Sequence, residues 1–172
     1  MSHRTGGLIV ACFVLALAGR AAALDGERKG FMVDFGLGGG YISDESILAT
    51  DNTGGAAATF NIGYGVSNQL MIYLGARSGA WSSSFTNETA SIGVGAIGAT
   101  FYFSETAPSG YINGVVGSAN YDNGQTADGG GFCLGVGYEW IENWSFGADY
   151  TLGQISGLNT QVIAFKINKH WY

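Results

Sequence analysis

The sequence predicts an all-β fold: an eight-stranded antiparallel β-barrel that crosses a membrane, preceded by a cleaved signal peptide. Three observations carry that expectation. Apolar and polar residues alternate with a period of two in segment after segment, which is the pattern of a strand between two different environments. Only 12% of the 172 residues are charged while 30 are glycine, against about 25% charged in an ordinary soluble domain. Aromatic residues make up 13% of the chain, too many for a disordered glycine-rich segment, and no collagen-like period is present. A sheet packed on lipid accounts for the missing charge. It also accounts for glycine where the wall bends or the interior is narrow.

The N-terminus reads as a processing segment. His3 and Arg4 precede the apolar run Leu8 to Ala18, and Ala21 to Ala23 offer a small-x-small cleavage site, the layout of a secretory signal peptide over residues 1–23. The run is shorter than the roughly 20 residues a membrane-spanning helix needs. Ile9-Val10-Ala11-Cys12 has the form of a lipoprotein cleavage box, but Cys12 sits in the middle of the apolar run and not at its end. Cleavage after Ala23 leaves residues 24–172 as one domain. The 149 residues keep five basic side chains against 13 acids, a net charge of −8. Such a chain has no electrostatic footprint for nucleic acid. Cys133 is then the only cysteine, which excludes an internal disulfide and a cysteine-rich zinc site.

The strands follow in order. Phe31, Val33, Phe35, Leu37 and Tyr41 share one face against Met32, Asp34, Gly36 and Gly38. A polar connection over residues 43–55 leads to Phe60, Ile62, Tyr64 and Val66 against Thr59, Asn61, Gly63 and Gly65. After a tight turn at Ser67-Asn68-Gln69, Leu70, Ile72, Leu74 and Ala76 oppose Met71, Tyr73, Gly75 and Arg77. A second polar connection over residues 78–89, holding Trp81 and Phe85, precedes a fourth run, Ala90 to Phe103. Its end sets Ile97, Ala99, Phe101 and Phe103 against Gly98, Thr100 and Tyr102, but Ile92 and Val94 lie on the other parity, so a bulge is expected between the halves. Pro108 falls in the next turn, where it removes no ladder hydrogen bond. The fifth run, Tyr111 to Tyr121, leaves its facing open.

A Gly/Asp/Asn stretch over residues 122–131 is a third long connection. The sixth run is the cleanest, with Phe132, Leu134, Val136, Tyr138 and Trp140 against Cys133, Gly135, Gly137 and Glu139. A turn at Glu142-Asn143 gives the seventh, Trp144, Phe146, Ala148, Tyr150 and Leu152 against Ser145, Gly147, Asp149, Thr151 and Gly153. After residues 154–159 the chain ends as VIAFKINKHWY. Ile163, Phe165, Ile167 and Trp171 share one parity, interrupted by Lys169, and Lys166, Asn168 and His170 share the other. Connections that alternate long and short suit a barrel with loops outside the cell and turns in the periplasm. Strands of about 9–11 residues suit a tilted crossing.

The aromatics agree with that placement. Phe31, Phe101, Phe103, Trp140, Trp144 and Trp171 all fall at strand ends on the short-turn side, where a girdle of amphipathic rings belongs. Tyr41, Phe60 and Phe132 are candidates for the opposite girdle.

The lumen face carries Asp34, Arg77, Glu139, Asp149 and Lys166. Eight strands enclose an interior just wide enough for side chains to fill. Buried charges must pair, so these five are expected to form a charge network that plugs the barrel; an ion path through a wet lumen is the alternative.

Catalysis has little support. His170 is the only histidine after residue 23, and no serine or acid lies near it in sequence, although its cross-strand neighbours are open. Asp44, Glu45, Asp51, Asp122 and Asp128 could offer oxygens to Ca²⁺, but their spacing matches no calcium loop, and solvated loop acids are expected. Asn87-Glu88-Thr89 fits a glycosylation sequon, a motif common by chance. Gly36-x-Gly38 and Gly129 to Gly131 open no helix and are not phosphate loops. No cofactor is implied.

The blocks Gly95-Ala96-Ile97-Gly98-Ala99-Thr100-Phe101-Tyr102-Phe103 and Gly135-Val136-Gly137-Tyr138-Glu139-Trp140 resemble the glycine-rich strands ending in aromatics of the small OmpA/OmpX-type outer-membrane β-barrels. The last strand, with Phe165, Ile167, Trp171 and Tyr172, resembles the C-terminal assembly signal of such barrels. The resemblance implies residence in the bacterial outer membrane among its lipids, insertion by the outer-membrane assembly machinery, and loops at the cell surface. It implies no single activity. The leading expectation is a non-enzymatic integral outer-membrane protein with a structural or surface-interaction role. The alternatives are a narrow channel for small or hydrophobic solutes and a soluble secreted ligand binder, which would need an apolar lumen. No residues are left over for a peptidoglycan-binding domain.

Overall fold

In a computed structural model the chain forms a closed barrel of eight antiparallel strands, each paired with its sequence neighbours and β1 with β8. The strands are β1 (Gly30–Glu45), β2 (Thr50–Gly65), β3 (Leu70–Ser82), β4 (Thr89–Tyr102), β5 (Ser109–Asp122), β6 (Thr126–Ile141), β7 (Trp144–Ile155) and β8 (Leu158–Trp171). The structure describes residues 27–45, 50–82, 89–122, 126–155 and 158–172. The expected signal peptide with Cys12, the Asn87 sequon and Phe85 lie outside these residues.

Following the ladder around the barrel from Phe31 leads through Tyr64, Ile72, Ala99, Gly114, Leu134, Tyr150 and Ile163 back to Tyr41. The circuit thus returns ten residues further along β1, a shear of 10 for eight strands. Such a stagger forces the strands to tilt, by roughly 35–45° in barrels of this kind, and closure leaves no unpaired edge.

Alternation places the apolar set outside. Ile62, Leu74, Ile97, Val116, Phe132 and Leu152 are successive ladder partners on the outer wall, and Leu74 is 63% exposed. Asp34, Asn61, Arg77, Glu139, Asp149 and Lys166 are all buried inside. This inside-out distribution rules out the secreted ligand binder, whose lumen would be apolar and whose wall would be polar.

Three sequence expectations give way, and one open question closes. First, the long polar connections are mostly ladder: pairing continues to Glu45–Thr50, Ser82–Thr89 and Asp122–Thr126. The strands are 12 to 16 residues long, not 9–11. The connections hold four, six, three and two residues at one end and four, six and two at the other, so the expected alternation of lengths is absent. Asp, Asn, Gly and Ser disfavour strands locally, but a closed ladder supplies partners on both sides and overrides that weak preference. The asymmetry survives as a collar, a rim of strand beyond the apolar wall with Ser78, Ser91, Ser118, Asn120 and Asp128 on it.

Second, β4 carries no bulge. Its pairing with β3 is uninterrupted from Ser82–Thr89 to Leu70–Phe101, and Ile92 and Val94 point inward. They do so because this end of the lumen is itself apolar, with Ala57, Trp81, Ala90, Ile92, Val162 and Ala164 in one cluster and Val94 with Ala119 in another. Third, Trp81 belongs to β3 and not to a loop. It is buried in the first cluster with its ring 6.0 Å from that of Tyr121. Fourth, the open question of β5 resolves: Tyr111, Val115 and Ala119 face in, Ile112 and Val116 face out.

Candidate functional site: the lumenal network and its seal

The lumen has the apolar collar clusters at one end and, from mid-barrel to the short-turn end, a polar zone interleaved with a third apolar cluster of Met32, Met71, Tyr73, Tyr102, Tyr111, Val115, Cys133 and Tyr172. The polar zone begins with Lys166, whose Nζ donates to Asp149 Oδ2 and Thr59 Oγ1. Arg77 Nε lies 3.4 Å from the same Asp149 oxygen, and Arg77 Nη1 donates to Asn61 Oδ1 at 2.6 Å. Asn61 Nδ2 in turn donates to Asp34 Oδ2 at 2.5 Å. Two cations and two carboxylates therefore share one hydrogen-bonded set, which offsets the desolvation of each.

Of the five charges read from sequence, Asp34, Arg77, Asp149 and Lys166 meet here. Glu139 does not. It lies at the short-turn end, where Arg28 Nη2 is 2.6 Å and Arg28 Nε 2.8 Å from its Oε2. The guanidinium also donates to the carbonyls of Asn68 and Ser104 and sits 4.0 Å over the Tyr102 ring. Glu139 Oε1 accepts from the backbone of Asn143 at 2.9 Å. Arg28 thus ties together all three short turns and closes that end of the barrel. Its signal was present in sequence, since it continues the inward parity of Met32 and Asp34 backwards. Gly30 hides it, because its φ of +121° turns the chain under the barrel in a conformation that favours glycine.

Tyr172 also joins the seal. Its side chain is buried, its hydroxyl lies 3.0 Å from that of Tyr102, and its ring stacks on His170 with centroids 5.7 Å apart. Phe165, Ile167 and Trp171, placed with it in the terminal pattern, face outward.

Glycines make room for these large lumenal groups. A Cβ at Gly98 would collide with the Tyr73 ring, one at Gly137 with Tyr111, and one at Gly36 with Asn168.

His170 has partners that sequence distance concealed. Its Nδ1 is 3.3 Å from Asp34 Oδ1 and its Nε2 is 2.8 Å from Ser145 Oγ. Asp34 is its ladder partner across the β1–β8 seam. Ser145 is further held by Tyr111 at 3.2 Å and Asn168 at 3.3 Å. These are the partners of a Ser–His–acid relay. Ser145 is 0% exposed, and the adjoining cavity, between residues such as Asp34, Asn113 and His170, has a volume of about 20 Å³. That is room for about one water.

The six girdle residues Phe31, Phe101, Phe103, Trp140, Trp144 and Trp171 are all exposed on the outer wall. Phe101 packs on Phe103 with centroids 6.0 Å apart, and Trp140 stacks on Phe146 at 5.5 Å. Tyr41, Phe60 and Phe132 also face outward. Among the described residues no group of three or more His, Cys, Asp or Glu side chains converges as a metal site.

No family model and no curated protein matches the sequence. Solved structures do match. Ail, the attachment invasion locus protein of Yersinia pestis, is 11% identical with a TM-score of 0.56, covering 83% of this chain and 99% of its own. Neisserial surface protein A is 18% identical with a TM-score of 0.53, over 81% and 96%. The N-terminal β-barrel domain of Pseudomonas aeruginosa OprF is 12% identical with a TM-score of 0.50, over 83% and 98%. A closed barrel is one of two structures that satisfy every backbone group within lipid, and this one turns its apolar side chains out and its charges in. In fold, the chain is a closed eight-stranded antiparallel β-barrel similar to those of small bacterial outer-membrane proteins.

Proposed function

We propose that the protein acts at the outer surface of the outer membrane or in its structure, through the collar, and that its lumen is neither a transport path nor an active site. The observation that carries this reading is the seal. Between the Arg28–Glu139 pair at one end and the Trp81 cluster at the other, side chains fill the interior, as the width of an eight-stranded barrel leads one to expect. What remains for interaction is the collar rim. Ail has been solved with a heparin analogue, sucrose octasulfate. The collar here carries Asp122 and Asp128, and residues 43–55, 78–89 and 122–131 hold no lysine or arginine. Such a rim lacks the cations that a polyanion requires and suits a neutral or basic partner.

Planar-bilayer recording tests the seal. Refolded wild type should leave the bilayer silent, and Arg77→Ala should leave it equally silent. Steady openings whose size changes in Arg77→Ala would establish a conducting lumen and overturn the reading in favour of a narrow channel. The non-catalytic part has its own check: a serine-directed fluorophosphonate should leave Ser145 of the folded barrel unlabelled, and labelling lost in Ser145→Ala would restore an enzyme.

A further inference from the structure

Residues 27–29 lie outside every ladder, since β1 begins at Gly30 opposite Gly65. Glu27 and Lys29 are exposed, yet Arg28 between them is buried. The segment adds no rung to the wall, but the short-turn end is shaped around it. A Cβ at Gly65 would collide with the Arg28 carbonyl oxygen and come within 3.1 Å of the Lys29 Cα. The last residue of β2 is therefore a glycine where the chain crosses beneath it. What the crossing delivers is one guanidinium. Its Nη1 donates to Ser104 O at 2.7 Å and to Asn68 O at 3.1 Å, and its Nε donates to Glu139 Oε2 at 2.8 Å. Its Cζ lies 4.0 Å from the centre of the Tyr102 ring.

A carboxylate, two carbonyl oxygens and an aromatic face are the groups that recognise a planar cation rich in N–H donors. None of them comes from the strap. Tyr102 and Glu139 stand on β4 and β6, and Asn68 and Ser104 in the turns between strands. Two further contacts hold the hosts in place: Glu139 Oε1 accepts from the Asn143 N–H, and the Tyr102 hydroxyl lies 3.0 Å from that of Tyr172. We propose that the short-turn end of the lumen is a guanidinium-binding site, and that residues 27–29 are a detachable strap that fills it with Arg28. Gly30, at a φ of +121°, is the joint between strap and wall. Withdrawing the strap breaks no ladder pair. It uncovers Glu139 and, beside it, Ser145, the ladder partner of Glu139 on β7. The Trp81 cluster still closes the far end, so the open strap leaves a blind recess and no path through the barrel.

Thiol labelling tests it, with methyl methanethiosulfonate as the probe and a parent barrel carrying Cys133→Ala and Ser145→Cys refolded in detergent. With Arg28 in place the introduced thiol should react slowly. Adding Arg28→Ala should speed the reaction by roughly tenfold or more, the scale of hydrogen bonds to a charged group. Adding Gly65→Ala instead should also speed it, by displacing the strap with Arg28 intact. Both barrels should keep the heat-sensitive gel mobility of a closed wall, because the ladder is whole. Methylguanidinium should slow the labelling of the Arg28→Ala barrel again, and tetramethylammonium at the same concentration should not. A barrel with Arg28→Ala or Gly65→Ala that is labelled no faster than its parent would overturn the strap. Loss of the folded band in Arg28→Ala would also overturn it, since the segment would then be part of the wall. Fast labelling on which methylguanidinium and tetramethylammonium act alike would overturn the guanidinium site.

Discussion

Asp149→Asn should destabilise the folded barrel by about 3–5 kcal/mol, the cost of removing one partner of a buried ion pair. Asp149 is the carboxylate that both lumenal cations share: Lys166 donates to it and Arg77 Nε lies 3.4 Å away. Asparagine keeps the shape and loses the charge, leaving two buried cations beside one another. Asp34 cannot take over both, because it is bonded through Asn61 and pairs with His170. The shift is read from the urea midpoint in vesicles. Asp149→Leu combined with Lys166→Met should cost less than Asp149→Asn alone, since an apolar replacement of both members leaves no orphaned charge. An Asn variant as stable as wild type would mean that the cations are hydrated and the lumen is wet.

Leu74→Arg should cost about 2–4 kcal/mol of folding into a bilayer, the price of a cation near the midplane of a barrel wall. Leu74 projects from β3 between its ladder partners Ile62 and Ile97, with no polar side chain in that row from β2 to β7. Its guanidinium would have to cross apolar wall to reach water. Ser82→Arg supplies the contrast on the same strand and the same face. Ser82 stands in the collar, where the same substitution should cost about 0–1 kcal/mol. A gradient along one strand is evidence of lipid depth that a uniform loss of stability would not give.

Apart from β5 and the first half of β4, the parity of the strands is legible in the sequence alone, because a period of two needs only the side chains of one segment. Facing is ambiguous where the two sides do not differ. In β5 glycine, serine and asparagine occur on both faces, and in β4 Ile92 and Val94 are apolar yet inward, so the pattern suggests a bulge that the ladder does not contain. Strand ends are the weaker part. Residues 43–55, 78–89 and 122–131 look like loops from their composition, and only the closing of the ladder draws 43–45, 50–55, 78–82, 89, 122 and 126–131 into strands.

The lumenal site is half legible. Which charges face inward follows from parity; which of them meet follows from register, a property of the closed barrel. Asp34 and His170 are neighbours only because β1 pairs with β8, and Glu139 finds Arg28, 111 residues away, because Gly30 bends the chain beneath the turns. Trp81 shows the same limit from the other side. Its parity matches Met71, Tyr73 and Arg77, and it escapes notice only because its surroundings resemble a loop.

The most direct test of the central claim is gel mobility, unheated against boiled, on protein refolded in detergent and on the outer-membrane fraction, with Leu74→Arg and Ser82→Arg run through the same urea series. A closed barrel that spans the outer membrane predicts a heat-dependent band shift in both preparations, with the folded band of Leu74→Arg lost at lower urea than that of wild type or Ser82→Arg. No shift, with the protein soluble in the periplasm and the two variants alike, would contradict it.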